Sequence, residues 1–300
     1  MVPTNRPSRP VAERFSLISG IVCLGILFSG AISVAQPETF GIKFSPLSTA
    51  GKAVTAPDSR YIVSVYQGSG ELTGAKWIKG NRVSQLKLAG RNKLTRLCFF
   101  TNPSSSGKSA GTWVQGFGTG GSQALRAITD SAILNCRFEK WVTQVGDKVL
   151  PLGLLNVSFQ KKIPASGTPL IDSKRNIVGL ILQPSSRRSA YAIPAQAVHR
   201  VPHDIGDHQK LVRGWMGLSL STESSIPRIT RIWPGSPAEK SKLRENDILV
   251  KAGSYPTARY PDAVNALFYA IPGESTAIEI TRGDKRIATM ITPTVQKPGN

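Results

Sequence analysis

The sequence predicts a mainly β protein in two parts, a barrel or sandwich followed by an α+β module. Short apolar runs recur at close spacing, each bounded by turn signals. Glycine (28 residues) and proline (21 residues) are abundant enough for many tight turns. Beyond a polar stretch at 203–212, helix-start signals appear among the strands. The chain has 300 residues, 40% hydrophobic and 19% charged. That composition can bury ordinary cores and excludes a disordered or coiled-coil protein.

Residues 1–35 read as a signal peptide or an uncleaved N-terminal anchor. A polar, basic start precedes an uncharged run at 15–35, and Ser33-Val34-Ala35 supplies small residues for cleavage. Both readings export the rest, to the periplasm or cell envelope, with an inner-membrane anchor in the second. Cys23 lies in this run, but Val22 before it is too large for a lipoprotein site. Residues 36–58 are short of large apolar side chains and rich in Thr, Ser, Pro and Gly, so they read as a linker. Strands are expected at 61–66, 82–88, 94–100, from Thr112, at 127–136, 149–155, 168–171 and 177–182. The last two flank a turn at 172–176. Cys98 and Cys136 fall among these strands. In an oxidising compartment they could pair, or each could be a buried small hydrophobe.

Residues 203–212 read as a second linker. After it, strands are expected at 228–232 and 247–250, and Ser236-Pro237-Ala238-Glu239 opens a short helix. Ser caps it, Pro takes the first helical position, and Glu reaches back. Residues 261–271 form a helix with Val264, Leu267, Phe268 and Ile271 on one face, stopped by Pro272-Gly273. Strands at 276–281 and 286–292 make a hairpin.

This order, with three motifs, resembles the PDZ domain of the HtrA/Deg family over 213–295. Arg213-Gly214-Trp215-Met216-Gly217-Leu218 is similar to its carboxylate-binding loop. Trp233-Pro234-Gly235-Ser236-Pro237-Ala238 is similar to its strand-to-helix turn, and Leu243-Arg244-Glu245-Asn246-Asp247-Ile248-Leu249 to a third segment. Lys242 and Asn246 stand where the family has glycines. The resemblance implies a peptide clamp. The N–H groups of Met216, Gly217 and Leu218 would form an anion nest for a terminal carboxylate. The peptide would pair along 218–220, and its last side chain would enter a pocket lined by Met216, Leu218, Val264 and Leu267. Val264 and Leu267 could equally be core, as helix-face apolar residues usually are. The implied partners are apolar C-terminal peptides or unfolded segments of envelope proteins, with an active protease relative as a further one.

Residues 59–202 resemble the trypsin-like domain of the same family, a double β-barrel in shortened form. Pro164-Ala165-Ser166-Gly167-Thr168-Pro169-Leu170 is similar to its nucleophile motif G-N-S-G-G-P-L. Ile177-Val178-Gly179-Leu180 and Tyr191-Ala192-Ile193-Pro194 continue the match, and Gly111-Thr112-Trp113-Val114-Gln115-Gly116-Phe117-Gly118 is similar to an upstream strand. The resemblance implies that Ser166 holds the nucleophile position.

The chemistry does not accompany it. Amide hydrolysis by serine needs a base within reach, an orienting carboxylate and an oxyanion hole. The family's histidine precedes its serine, whereas His199, His203 and His208 are the only histidines and all follow Ser166. One oxyanion donor is normally the N–H two residues before the serine, and Pro164 has none. Losing such a donor costs about 3–4 kcal/mol of transition-state stabilisation. Thr168 replaces the second glycine of the motif. Asp130, in Asp130-Ser131-Ala132-Ile133-Leu134, resembles the family's aspartate segment but lies after the 111–118 strand rather than before it, and reads as an ordinary turn or strand residue. Lys161 and Lys162 are close enough in sequence for a Ser–Lys pair and read as solvated.

Ser166 is therefore a relic nucleophile, and the chain an exported, proteolytically inactive binding protein. The alternative is an active HtrA/Deg-type serine endopeptidase using Ser166 with a non-standard base. No cofactor, metal constellation or nucleic-acid motif is expected. The formal net charge of +20 would favour contact with anionic surfaces. The basic residues are scattered, which favours solubility as their role.

Overall fold

A computed structural model describes residues 37–46, 49–103, 111–115, 122–208 and 212–295. The expected leader at 1–35 and Gly116-Phe117-Gly118 lie outside these residues. Six antiparallel strands close a first barrel: β1 (Thr39–Ser45), β2 (Ala50–Thr55), β3 (Tyr61–Val65), β4 (Gly74–Lys79), β5 (Arg82–Arg91) and β6 (Leu97–Thr101). Six more close a second: β7 (Gln123–Ile128), β8 (Ile133–Val145), β9 (Lys148–Phe159), β10 (Pro169–Ile171), β11 (Ile177–Pro184) and β12 (Ser189–Pro194). The first runs β1-β2-β3-β6-β5-β4 and the second β7-β8-β9-β12-β11-β10, the same order. The molecule thus uses one barrel plan twice, although no sequence repeat announces it.

The barrel begins earlier than the sequence suggests. The stretch expected as a linker at 36–58 contains β1 and β2. Phe40, Ile42 and Phe44 alternate inward on β1, as a half-buried strand requires. β2 escaped notice because its residues are small, and its position demands that. A Cβ on Gly51 would stand 3.2 Å from the Phe44 ring and 3.3 Å from the Ser166 carbonyl oxygen. The run at 127–136 is broken by a turn, where the Thr129 N–H donates to Ala132 O across 3.0 Å. Among the described residues, Thr112-Trp113-Val114 makes an isolated bridge, Trp113 to Ile177.

After β12, helix α1 (Ala195–His208) continues through the start of the stretch read as a second linker, 203–212. Val198, Val201 and Ile205 fall on one helical face and are buried. Pro202 and the polar residues after it disguised that face in the sequence.

The C-terminal domain has β13 (Gly214–Trp215), β14 (Leu218–Leu220), β15 (Ile229–Ile232), α2 (Pro237–Lys240), β16 (Ile248–Ala252), β17 (Tyr255–Pro256), α3 (Tyr260–Phe268), β18 (Thr276–Arg282), β19 (Lys285–Ile291) and β20 (Thr294–Val295). β14 pairs with β15, and the main sheet runs β17-β16-β18-β19. Ser236 caps α2 by accepting the Glu239 N–H at 3.1 Å, while the Glu239 carboxylate accepts the Gly235 N–H at 2.6 Å.

Each barrel has its own interior cluster. A further cluster between the barrels gathers Val63 and Phe99, Leu152 and Ile177, and Val198 and Val201 of α1. Phe268 and Tyr269, at the end of α3, belong to this cluster. The Gly153 N–H of β9 donates to Asn265 Oδ1 of α3 across 2.7 Å, both residues being buried. The C-terminal domain is therefore packed onto the second barrel. Cys98 lies inside the first barrel and Cys136 inside the second; both are free. Burial raises the Cys98 thiol far above its ordinary value and pushes that of Cys136 up to about 12, so both stay protonated.

Candidate functional site

Ser166 sits on a turn closed by the Thr168 N–H donating to Ala165 O at 3.2 Å. Gly167 follows it with φ +82°, the backbone a type II turn needs at its third position. A Cβ there would lie 1.9 Å from the Lys52 carbonyl oxygen, so only glycine fits. The turn touches both barrels. The Ser166 carbonyl accepts the Lys52 N–H of β2 at 2.8 Å, and the Gly167 N–H donates to Ile181 O of β11 at 2.8 Å.

The Ser166 hydroxyl donates to the Leu182 carbonyl at 2.8 Å. The amide of Gln67, just beyond β3, donates to the same oxygen. The first barrel thus meets the serine with a carboxamide, which cannot accept a proton at neutral pH. Sequence reasoning missed Gln67, because nothing in its composition or spacing marks it; only the closure of the barrel brings it to Leu182. Pro164 offers no N–H on the other side, and the Thr168 N–H is spent within the turn.

The other candidates lie elsewhere. His199 Nε2 is 3.2 Å from Val114 O, and its ring meets Trp113 edge-on with centroids 6.5 Å apart. Burial depresses the His199 pKa, partly offset by that carbonyl. The side chains of His203 and His208 lie outside the described residues. Asp130 stands in the turn between β7 and β8, where its carboxylate accepts from Thr39 Oγ1 at 3.1 Å and pairs with Lys52. Lys161 and Lys162 are exposed, and neither bonds to Ser166.

Met216, Gly217, Leu218, Val264 and Leu267 come together along one groove of about 440 Å³. Gly217 turns the chain with φ +74°, and a Cβ on it would meet the Ser236 Cβ at 2.1 Å. The loop is fixed by its carbonyls: Met216 O accepts the Ala238 N–H at 2.9 Å, and Gly217 O the Trp233 N–H at 3.0 Å. The N–H groups of Met216 and Gly217 take no partner among the described residues. Val264 and Leu267 are half-buried, while Ala263, Ala266 and Phe268 carry the buried face of α3. Met216 is buried and serves the core as well as the groove. Val149, Leu150 and Pro151 of β9 also line the groove, so its wall is shared with the second barrel.

Two six-stranded barrels, with a serine on the turn that joins them, define the class: the fold is that of the HtrA/Deg-type trypsin-like proteases. No protein-family model matches the chain. Among characterised sequences it is similar to a DegP-like periplasmic serine endoprotease of Chlamydia trachomatis serovar D, 26% identical over 146 residues, which is 43% of this chain and 29% of the relative. It is also similar to the serine protease HhoB of Synechocystis sp., 24% identical over 142 residues, 40% of this chain and 34% of that one. The match spans about a third of the length of these relatives. Among solved structures, the HtrA-type protease AlgW with a tripeptide superposes with a TM-score of 0.57 at 15% identity, covering 89% of this chain and 96% of that one. AlgW with a decapeptide gives 0.53 at 15% identity, over 89% and 98%.

Proposed function

We propose that this chain is an exported, proteolytically inactive HtrA/Deg-type homologue that binds peptide C-termini through a C-terminal PDZ domain in the cell envelope. The observation that carries the inactive reading is the Ser166 hydroxyl donating to Leu182 O, with the Gln67 amide beside it where a base is needed. A nucleophilic serine must give its proton to a base as the new bond forms. Here the acceptor is a backbone carbonyl, which cannot be protonated at neutral pH.

Binding is supported by the groove. The unpaired N–H groups of Met216 and Gly217 suit a terminal carboxylate, and the apolar walls suit an apolar last residue. Envelope location is supported by the uncharged run at 15–35 and by the periplasmic description of the DegP-like relatives. The partners proposed are C-termini or unfolded segments of envelope proteins and an active protease relative.

The test is a fluorophosphonate probe together with digestion of an unfolded protein by the purified chain. No labelling and no digestion are expected. Labelling that vanishes in Ser166→Ala would establish the alternative, an active endopeptidase. A C-terminal peptide library should enrich apolar termini, and Gly217→Ala should abolish their capture.

A further inference from the structure

A separate cavity of about 160 Å³ opens in the first barrel, between the segment after β3 and the β5–β6 turn. Arg91, Lys93 and Arg96 line it, and no acidic residue does. Arg91 and Arg96 are each anchored by one nitrogen, Arg91 Nη1 to Gly70 O at 2.8 Å and Arg96 Nη1 to Gln67 O at 3.0 Å. Their other N–H groups take no partner among the described residues, and neither does Lys93.

Tyr66 also lines the cavity. It is 4% exposed, and its buried hydroxyl has no hydrogen-bond partner. Its ring packs edge-on to Phe44 with centroids 5.1 Å apart, a place that phenylalanine would fill without orphaning a polar atom. A Cβ on Gly68 would meet that hydroxyl at 2.3 Å, so glycine leaves the oxygen its place. The lining thus offers three cations and, on Tyr66, an unpaired hydroxyl, beside the neutral Ser69 and Asn92. A ligand rich in acceptors and carrying more than one negative charge matches it. The space takes several waters, enough for one tetrahedral oxyanion with some of its hydration.

We propose that this cavity binds a phosphate-type oxyanion, free or as a phosphomonoester lipid headgroup, held by Arg91, Lys93, Arg96 and the Tyr66 hydroxyl. The site is independent of the peptide groove. Inorganic phosphate titrated into the whole chain at constant ionic strength should bind at one site by calorimetry. Tyr66→Phe, which keeps the ring, and Lys93→Ala, which breaks no contact, should each weaken binding about tenfold. Vesicles of phosphatidate in phosphatidylcholine, against phosphatidylcholine alone, separate the sources: retention that both variants reduce assigns the lipid, and binding of phosphate without retention assigns the free ion. Absence of saturable binding in both arms, or binding undiminished in both variants, overturns the proposal.

Discussion

Replacing Asn265 with leucine removes the acceptor of a buried N–H and little else. The Gly153 N–H donates to Asn265 Oδ1 at 2.7 Å, and Asn265 is 6% exposed, so water cannot take its place. Leucine keeps the branching and the number of side-chain heavy atoms and favours the helix, so the lost acceptor is the main change. An orphaned buried donor costs about 1–3 kcal/mol. In a body of this size 1 kcal/mol moves the melting temperature by about 2–4 °C, so a cost of about 2 kcal/mol predicts a fall of about 4–8 °C. The bond joins α3 to β9, so the loss should fall on the junction between the C-terminal domain and the barrels. A Cβ on Gly153 would lie 3.3 Å from the Trp141 ring, which makes tryptophan fluorescence a local probe of that junction. Thermal melts followed by far-UV dichroism and by fluorescence should both shift, and hydrogen exchange at Gly153 should accelerate. A shift below about 1 °C with unchanged exchange would refute the reasoning, because the bond would then carry none of the docking.

Other expectations follow from individual contacts. Asp247 is buried, which by itself would raise its pKa, but bonds from Arg282 at 2.7 and 2.9 Å and from the Arg244 N–H at 2.8 Å hold it below the ordinary carboxylate range. Its contribution is therefore intact above about pH 4 and is lost as the pH falls through the depressed value. Asp247→Asn should cost about 2 kcal/mol in urea denaturation near pH 7, less than a fully enclosed pair because Arg282 reaches solvent. His199 is depressed by burial, so the unfolded chain takes up its proton first. Stability from this residue is present above about pH 6.5 and declines below it, a slope that His199→Gln should flatten in melts between about pH 5 and 7. Gly217→Ala would force a Cβ to 2.1 Å from Ser236 Cβ at φ +74°, and should cost at least about 2 kcal/mol by denaturation. Ser166→Ala should cost no more than about 1 kcal/mol, because Leu182 O keeps the Gln67 donor.

Strand periodicity was legible wherever large apolar residues carried it, as in β3, β11 and the β18–β19 hairpin. It was illegible where contact forced small residues, as in β2, whose Gly51 and Ala53 lie against the Ser166 turn and the barrel core. α1 was half legible: its buried face repeats, but Pro202 reads as a stop. Met216, Gly217, Leu218, Val264 and Leu267 were brought together by the family resemblance rather than by periodicity, and they line one groove. Gln67 was not legible, because its meaning comes from a carbonyl 115 residues away. The free state of Cys98 and Cys136 was equally out of reach, since it depends on which barrel each strand joins.

The resemblance around Ser166 can persist without catalysis because its residues also join the barrels. Gly167 is required by φ +82° and by the Lys52 carbonyl that fills its Cβ position. The Ser166 carbonyl ties the turn to β2, the Gly167 N–H ties it to β11, and the Ser166 hydroxyl ties it to the Leu182 carbonyl of the same strand. None of these bonds needs an imidazole or an oxyanion donor. Around the hydroxyl, the described groups are the Leu182 carbonyl and the Gln67 amide that shares it, and Pro164 offers no N–H. A motif built from turn residues therefore reports the junction between two barrels, and only the groups facing the hydroxyl report whether the serine can act.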